Sequence, residues 1–263
     1  STPLRLQQSP EVLREASRLM DTKKIEVVPI VDGDGALIDY LTWNDIISEK
    51  KLKDKSLQGT QVVIMAGGYG TRLEPFTKVL PKPLIPIHDK PIIEHIIDRF
   101  VDCGVNDFHL TVSYKSRIVK AFFHDLEPNY NVIFIDEPEP LGTAGSLQYL
   151  KELVDSPFFV TNCDIIIEAH YGEVLRFHKE HRNAITLVGS AIHHQIPYGT
   201  CILNDSGGLE RINEKPGFDF LVNTGMYVVE PHVLEIIPEK GKYHMTDLIE
   251  DTIKRGDNVG VFP

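Results

Sequence analysis

The sequence has few cysteines, no long apolar run and no excess of basic residues. It contains 3 cysteines in 263 residues, and they form neither a C-x-x-C pair nor a metal-binding pattern. This usage is typical of a reducing compartment, so we expect a cytoplasmic protein. The longest apolar runs, residues 62–66 and 158–160, are far too short to span a bilayer, and no secretory signal is visible at the N-terminus. We therefore expect no membrane contact.

Acidic residues outnumber basic ones by 38 to 27, which gives a net charge of -11. A chain this acidic is a poor candidate for binding nucleic acid along a broad surface. If it binds phosphates, it must use a few well-placed cations and backbone N–H groups. The hydrophobic fraction of 42% and the charged fraction of 25% are ordinary, which excludes a disordered or fibrous chain.

The sequence pattern divides the chain into two parts. Residues 1–50 contain a helix, a strand, a turn, a second strand and a second helix, which predicts a small α+β unit. Residues 51–60 are polar and charged and are interpreted as a linker. From residue 61 to residue 263 apolar strands alternate with amphipathic helices. This alternation predicts an α/β domain with a mostly parallel, Rossmann-like sheet covered by helices.

A glycine-rich segment follows the first strand of the larger part. It reads A-G-G-Y-G-T-R-L over residues 66–73, and P-K-P follows at residues 81–83. Glycines after a parallel strand expose backbone N–H groups and allow close approach of a phosphate. Arg72 offers a fork of donors and Lys82 a second cation. The segment lacks the G-K-[ST] of a P-loop, and Leu73 stands where a dinucleotide fingerprint has its third glycine.

These residues resemble the signature G-G-x-G-T-R-L-x-P-x-T-x-x-x-P-K-P of the sugar-1-phosphate nucleotidyltransferases. The resemblance implies that Arg72 and Lys82 contact the nucleotide phosphates and stabilise the transition state. It also implies that Asp164, which follows an apolar strand, binds Mg²⁺, as suits a carboxylate beside phosphates. The implied nucleotide-binding residues are Ala66, Gly67, Gly68, Gly70, Thr71, Glu137, Gly142 and Thr143.

Later segments of the chain resemble the sugar-binding side of the same family. They are P-Y-G at residues 197–199, E-K-P at 214–216 and N-T-G at 223–225. The residues that the resemblance assigns to the sugar phosphate are Gly199, Glu214, Lys215, Asn223 and Thr224.

The implied reaction is attack by a sugar-1-phosphate oxygen on the α-phosphorus of a nucleoside triphosphate, with pyrophosphate leaving in line. The attacking phosphate is already ionised at neutral pH, because its second pKa is about 6. No general base is therefore needed, and catalysis depends on positioning and charge neutralisation. A second hypothesis is a regulatory subunit of the same fold that binds nucleotide without catalysis. A third is an assembly module driven by the N-terminal unit.

Glu137 bears on the choice of base. A carboxylate can accept hydrogen bonds from the two adjacent donors of guanine, its ring N–H and its amino group. If Glu137 reads the base, GTP is favoured, and the P-L-G-T-A-G sequence at residues 140–145 also resembles guanylyltransferases. Uridylyl or thymidylyl transfer stays open. Mannose, glucose, glucosamine or a heptose 1-phosphate would need similar contacts.

Residues 9–47 resemble one CBS domain, in V-V-P-I-V-D at residues 27–32 and in T-x-x-D from Thr42 to Asp45. The resemblance implies that Thr42 and Asp45 contact the ribose of an adenine nucleotide. CBS units act in pairs, so we expect either a further unit upstream or a homo-oligomer. A module that binds no ligand is the alternative. The nucleotidyltransferase family also has a second Mg²⁺-binding Asp beyond a strand like residues 258–262, so we expect the sequence to be C-terminally truncated.

Overall fold

The structure is a computed structural model that describes residues 6–7, 12–33, 35–42 and 55–263. The chain divides into two compact units, residues 1–55 and 56–263. Leu57, which the sequence assigns to the linker, is fully buried in the core of the larger unit, and its N–H donates to the Cys103 carbonyl at 3.0 Å. Residues 51–54 of the predicted linker lie outside the described residues.

The small unit packs one helix against a three-stranded sheet. Its elements are β1 (Leu6–Gln7), α1 (Val12–Lys23), β2 (Val27–Val31) and β3 (Leu37–Thr42). The strands pair in the order β1–β2–β3, with β1 parallel to β2 and β2 antiparallel to β3. Ala16 and Met20, one helical turn apart, lie fully buried with Val28 of β2.

The larger unit is built on a seven-stranded sheet. The strands are β4 (Gln61–Met65), β7 (Asp107–Val112), β8 (Asn131–Asp136), β9 (Phe158–Asn162), β10 (Ile185–Gln195), β13 (Gly217–Val229) and β14 (Val259–Phe262). Their order is β14–β10–β13–β9–β4–β7–β8, and β13 alone runs opposite to its neighbours. The predicted α/β class with a mostly parallel sheet is confirmed.

Helices cover both faces of this sheet, since its strands are apolar on both sides. On one face Val62 and Ile64 of β4 pack with three helices, and on the other Val63 packs with short 3₁₀ segments and the last helix. The helices of the larger unit are α2 (Ile92–Val101), α3 (Ser116–Leu126), α4 (Tyr171–Glu180) and α5 (Met245–Lys254), and the two longer 3₁₀ segments are Gly145–Leu150 and Pro231–Ile236.

Two short hairpins complete the larger unit. They are β5 (Pro86–Ile87) with β6 (Lys90–Pro91), and β11 (Thr200–Leu203) with β12 (Leu209–Asn213). The sequence pattern predicts strands over residues 184–189 and 221–229. The observed strands β10 and β13 are longer, because they continue to pair as far as Gln195 and Gly217 and form a two-stranded arm. None of the helices in the described part of the chain has the length and apolarity needed to cross a membrane.

Candidate active site

The glycine-rich loop after β4 turns sharply at Gly70. Gly70 has a positive φ of 67°, and a Cβ there would lie 2.7 Å from Thr77 Cγ2 and 3.0 Å from Lys82 Cβ. The Thr77 hydroxyl donates to the Gly70 carbonyl at 3.0 Å. Glycine is needed at this position because its conformation and its close contacts exclude a side chain. The turn thereby packs the start of the loop against the segment that carries Lys82.

Arg72 and Lys82 line a single cavity of about 660 Å³ at the carboxyl ends of the parallel strands. This is the edge at which open α/β sheets bind their ligands. The cavity wall contains many of the residues predicted for the site, namely Gly67, Gly68, Arg72, Lys82, Glu137, Gly142, Thr143, Asp164, Asn223 and Thr224. The structure therefore brings both predicted cations, the predicted acid and the predicted base-reading carboxylate into one cavity.

Lys82 and Asp164 form an ion pair in the cavity wall. Lys82 Nζ lies 2.7 Å from Asp164 Oδ2, and the two side chains are 23% and 32% exposed. Lys82 begins a 3₁₀ turn with prolines on both sides, whereas Asp164 follows the end of β9. Each charge is thus held by a different element, and both face the space where a phosphate would lie.

Glu137 also lines the cavity and directly follows β8. It is 9% exposed, and a Cβ on Gly67 would lie 2.5 Å from its Oε1 atom. The Leu141 N–H donates to Glu137 Oε2 over a long 3.5 Å. Burial raises the pKa of the Glu137 carboxyl, and the Thr111 hydroxyl, the Leu141 N–H and the Ser146 hydroxyl partly offset this. Ionised, such a carboxylate is a strong acceptor for two ligand donors.

The segment from Leu141 to Gly145 is held by a strand-like contact with Tyr243. The Tyr243 N–H donates to the Leu141 carbonyl at 2.8 Å, and the Tyr243 carbonyl accepts from Ala144 and Gly145 at 3.0 and 3.1 Å. Gly142 has a φ of 87°, and a Cβ there would lie 2.5 Å from the Tyr243 carbonyl oxygen. A residue a hundred positions away in sequence therefore fixes the wall beside Glu137.

Strand β13 supplies a further part of the cavity wall. The Asn223 amide donates to the Tyr227 hydroxyl at 2.8 Å and its carbonyl oxygen accepts from the Gly225 N–H at 2.9 Å. The Thr224 hydroxyl donates to the Val188 carbonyl at 2.8 Å. These contacts orient the N-T-G segment along the cavity edge.

Several predicted residues lie outside the cavity wall. Ala66 is buried under the loop, with its N–H donating to the Thr111 carbonyl at 2.9 Å, and Thr71 is exposed at the start of a 3₁₀ turn. Gly199, Glu214 and Lys215 are exposed beside the β11–β12 hairpin.

Within this group Gly199 and Glu214 are close neighbours, since a Cβ on Gly199 would lie 3.0 Å from Glu214 Oε2. The structure thus groups two of the sugar-side residues with each other, apart from the cavity wall. Their role, like that of Lys215, stays a prediction.

Of the two residues predicted to contact ribose in the small unit, the structure describes only one. Thr42 is the last residue of β3, and Asp45 lies outside the described residues. The CBS resemblance and its adenine nucleotide remain predictions.

Sequence reasoning missed Thr111, Asn162 and Tyr227, which also line the cavity. Thr111 and Asn162 stand at or next to the ends of β7 and β9, the strands on either side of β4. Their position at strand ends is the signal that could have identified them. Tyr227 lies on the antiparallel β13, which reaches the same edge from the opposite direction.

The residues present fit a magnesium ion that draws most of its ligands from the substrate. The described residues contain no group of three His, Cys, Asp or Glu side chains that could hold a metal by themselves. Mg²⁺ is commonly bound by one or two carboxylates together with substrate phosphates and waters. Asp164, with its carboxylate in the cavity wall, matches that donor set.

The chain resembles curated enzymes of known activity. Mannose-1-phosphate guanyltransferase of Hypocrea jecorina is 40% identical over 185 residues, which cover 66% of this chain and 50% of the relative. The catalytic subunit beta of mannose-1-phosphate guanylyltransferase from Xenopus tropicalis is 37% identical over 185 residues, 67% of this chain and 51% of the relative. The chain spans about half the length of these relatives.

Solved structures show the same fold. HddC from Yersinia pseudotuberculosis complexed with GMP-PN is 26% identical, with a TM-score of 0.60 over 77% of this chain and 89% of the HddC chain. Residues 61–263, which form the seven-stranded unit and the whole cavity, match the family described as nucleotidyl transferase. The chain belongs to the nucleotidyl transferase family.

Proposed function

We propose that the protein transfers a guanylyl group from GTP to a sugar 1-phosphate, giving a GDP-sugar and pyrophosphate. The observation that carries this proposal is the cavity itself, which has Arg72, Lys82 and Asp164 in its wall and the buried Glu137 carboxylate facing the same space. A triphosphate needs cations where its charge lies, and a guanine base needs an acceptor for two adjacent donors.

In the proposed reaction an oxygen of the sugar 1-phosphate forms a new bond to the α-phosphorus of GTP. The bond between the α-phosphorus and its bridging oxygen breaks, and pyrophosphate leaves with that electron pair. Arg72 and Lys82 bind phosphate oxygens and offset the charge that grows on the leaving group. Asp164 would hold Mg²⁺, which when bound neutralises phosphate charge. No side chain has to take a proton from the nucleophile.

Glu137 supports guanine as the base. Its ionised carboxylate can accept from both the ring N–H and the amino group, whereas uracil offers one donor beside two carbonyl acceptors. Mannose 1-phosphate is the first acceptor to test, because the relatives from Hypocrea jecorina and Xenopus tropicalis are named for it. Asn223 and Thr224 in the cavity wall, with Gly199, Glu214 and Lys215 beside the β11–β12 hairpin, are proposed to receive the sugar phosphate.

The test is a pyrophosphate-release assay of the full-length protein with Mg²⁺. GTP, ATP, UTP and dTTP are each paired with mannose, glucose, glucosamine and heptose 1-phosphates. We expect release with GTP and mannose 1-phosphate at least tenfold faster than with UTP. Preference for UTP or dTTP would contradict the role given to Glu137. Binding of GTP without release with any acceptor would favour the non-catalytic regulatory subunit instead.

A further inference from the structure

The hydroxyl of Thr111 is buried and makes no hydrogen bond of full geometry among the described residues, although it lies close enough to the Glu137 carboxyl to lower its pKa. Thr111 is 0% exposed, and its Oγ1 atom forms no hydrogen bond of good geometry with any of the residues that the structure describes. A buried hydroxyl left unpaired lowers the stability of the fold by about 1–3 kcal/mol, so an unpaired hydroxyl of this kind requires an explanation. Thr111 also lines the active-site cavity together with Glu137, so its hydroxyl can form a hydrogen bond there when a ligand is bound.

The register of the sheet places Thr111 beneath the Glu137 carboxylate. Thr111 pairs with Met65 on one side and with Ile135 on the other, so the three side chains share one face. Glu137 lies two residues beyond Ile135 and Gly67 two residues beyond Met65. The carboxylate reaches from β8 as far as Gly67, where a Cβ would lie 2.5 Å from Oε1. It therefore crosses over the end of β7, the strand that carries Thr111.

We propose that Thr111 is a positioning residue for guanine recognition: its hydroxyl donates to the Glu137 carboxylate and holds it turned toward the guanine edge. This inference rests on the proposed function. An ionised carboxylate has about four acceptor sites, and guanine uses two of them. The remaining sites can accept from protein donors, and the Leu141 N–H, at 3.5 Å, is already directed at Oε2.

The electrostatics around Glu137 agree with this role. Burial raises the pKa of the carboxyl, and the Thr111 hydroxyl is the largest influence that lowers it, followed by the Leu141 N–H and the Ser146 hydroxyl. Among the described residues, no charged side chain contributes to this shift. Loss of the Thr111 hydroxyl therefore leaves the Glu137 carboxyl easier to protonate, and protonated Glu137 can no longer accept both guanine donors.

The experiment compares wild type, Thr111→Val, which keeps the side-chain shape, and Thr111→Ser, which keeps the hydroxyl. Equilibrium binding of GTP and ITP is measured between pH 5 and 8 without acceptor. ITP lacks the amino group, so the GTP-to-ITP affinity ratio reports how well Glu137 is oriented. We expect Thr111→Val to weaken GTP about five- to tenfold. Thr111→Val should also reduce the GTP-to-ITP affinity ratio. On acidification, this variant should begin to lose GTP binding at a higher pH than wild type. Thr111→Ser should restore all three.

Two results would overturn the inference. One is a Thr111→Val protein with wild-type affinity, ratio and pH profile. The other is an equal loss for GTP and ITP with an unchanged pH profile, which would mean that the change acts only on packing. If Thr111→Val does not fold, Thr111→Ala is read by the same criteria. Normal GTP-to-ITP discrimination by a protein that releases no pyrophosphate would contradict the proposed reaction and leave this inference standing.

Discussion

The ammonium of Lys82 lies 2.7 Å from the carboxylate of Asp164, across the cavity wall of the nucleotidyl transferase unit. In the structure the two charges offset each other. The two side chains are 23% and 32% exposed, so water reaches the pair and weakens the attraction between the charges. We expect Lys82 to turn to a phosphate, and Asp164 to a metal ion, when the substrates bind. The ion pair joins the two charges that the proposed reaction uses separately.

Replacement of either cation in the cavity should reduce turnover. Arg72→Ala and Lys82→Ala are each expected to lower kcat more than tenfold, because their charge is needed most when pyrophosphate leaves. Steady-state kinetics with GTP and mannose 1-phosphate measures the effect. Lys179→Ala, which removes an exposed lysine on α4, is the control and should leave kcat unchanged. Near-normal rates in the first two variants would contradict their assignment to the transition state.

Glu137→Gln should reduce the preference of the protein for GTP over UTP. The amide keeps the size of the carboxylate but presents one donor and one acceptor, so GTP binding should fall about tenfold or more while UTP gains. Competition between GTP and UTP in the release assay measures the ratio. An unchanged ratio would show that another group reads the base.

The same variant tests the buried charge. Because the folded-state pKa of Glu137 is raised, the native protein binds this proton more tightly than the unfolded chain does, and stability falls as pH rises through that range. Glu137→Gln should therefore melt at a higher temperature than wild type near pH 7.5, and the difference should shrink near pH 4. A difference that grows on acidification would contradict the raised pKa.

Lys115 should be needed to hold the loop between the two cations. Its ammonium donates to the carbonyls of Thr77, Lys78 and Val79 at 3.2, 2.7 and 2.9 Å. Lys115→Met leaves these carbonyls without that donor, so we expect a stability loss of about 1–3 kcal/mol and a lower kcat. Thermal unfolding and steady-state kinetics measure the two effects.

Lys120→Met is the matched control for this change. It removes a lysine whose partner, Asp136, is largely exposed, and it should change stability by less than about 1 kcal/mol. If Lys115→Met behaves like this control, the three carbonyl contacts do not support the loop.

Gly142→Ala should disturb the wall beside Glu137. The substitution forces a side chain into a positive φ of 87° and against the Tyr243 carbonyl oxygen, at a cost of about 1–3 kcal/mol. Denaturant unfolding and GTP binding are the measurements, and both should weaken. Gly33→Ala, where a Cβ meets open space, is the control. Equal stability of the two variants would contradict the close contact with Tyr243.

The local parts of the site were predictable from sequence, whereas the long-range parts were not. The G-G-x-G-T-R-L and P-K-P segments led to Arg72 and Lys82 because their residue types and spacing are specific, and strand alternation gave the sheet. No local signal marks the contact of Tyr243 with residues 141–145, or that of Lys115 with residues 77–79. Both depend on how distant segments meet after the sheet has formed.

The length of the arm formed by β10 and β13 was also underestimated from the sequence. Its residues alternate less clearly, and several of its apolar side chains, such as Ile192 and Phe220, are exposed. The sequence pattern therefore did not mark the ends of the arm. The hairpin of β11 and β12, which has exposed residues on both strands, was not predicted either. Polar residues at the carboxyl ends of strands, such as Thr111, would have identified more of the cavity wall.

The most direct measurement of the central claim is ³¹P NMR of the full-length protein with GTP, mannose 1-phosphate and Mg²⁺. We predict that the signals of both substrates decrease together while those of pyrophosphate and of a sugar-linked diphosphate grow in equal amounts. The double variant Arg72→Ala with Lys82→Ala should produce neither product at a measurable rate. Growth of inorganic phosphate and GDP instead, or product formation by the double variant at the wild-type rate, would contradict guanylyl transfer at this cavity.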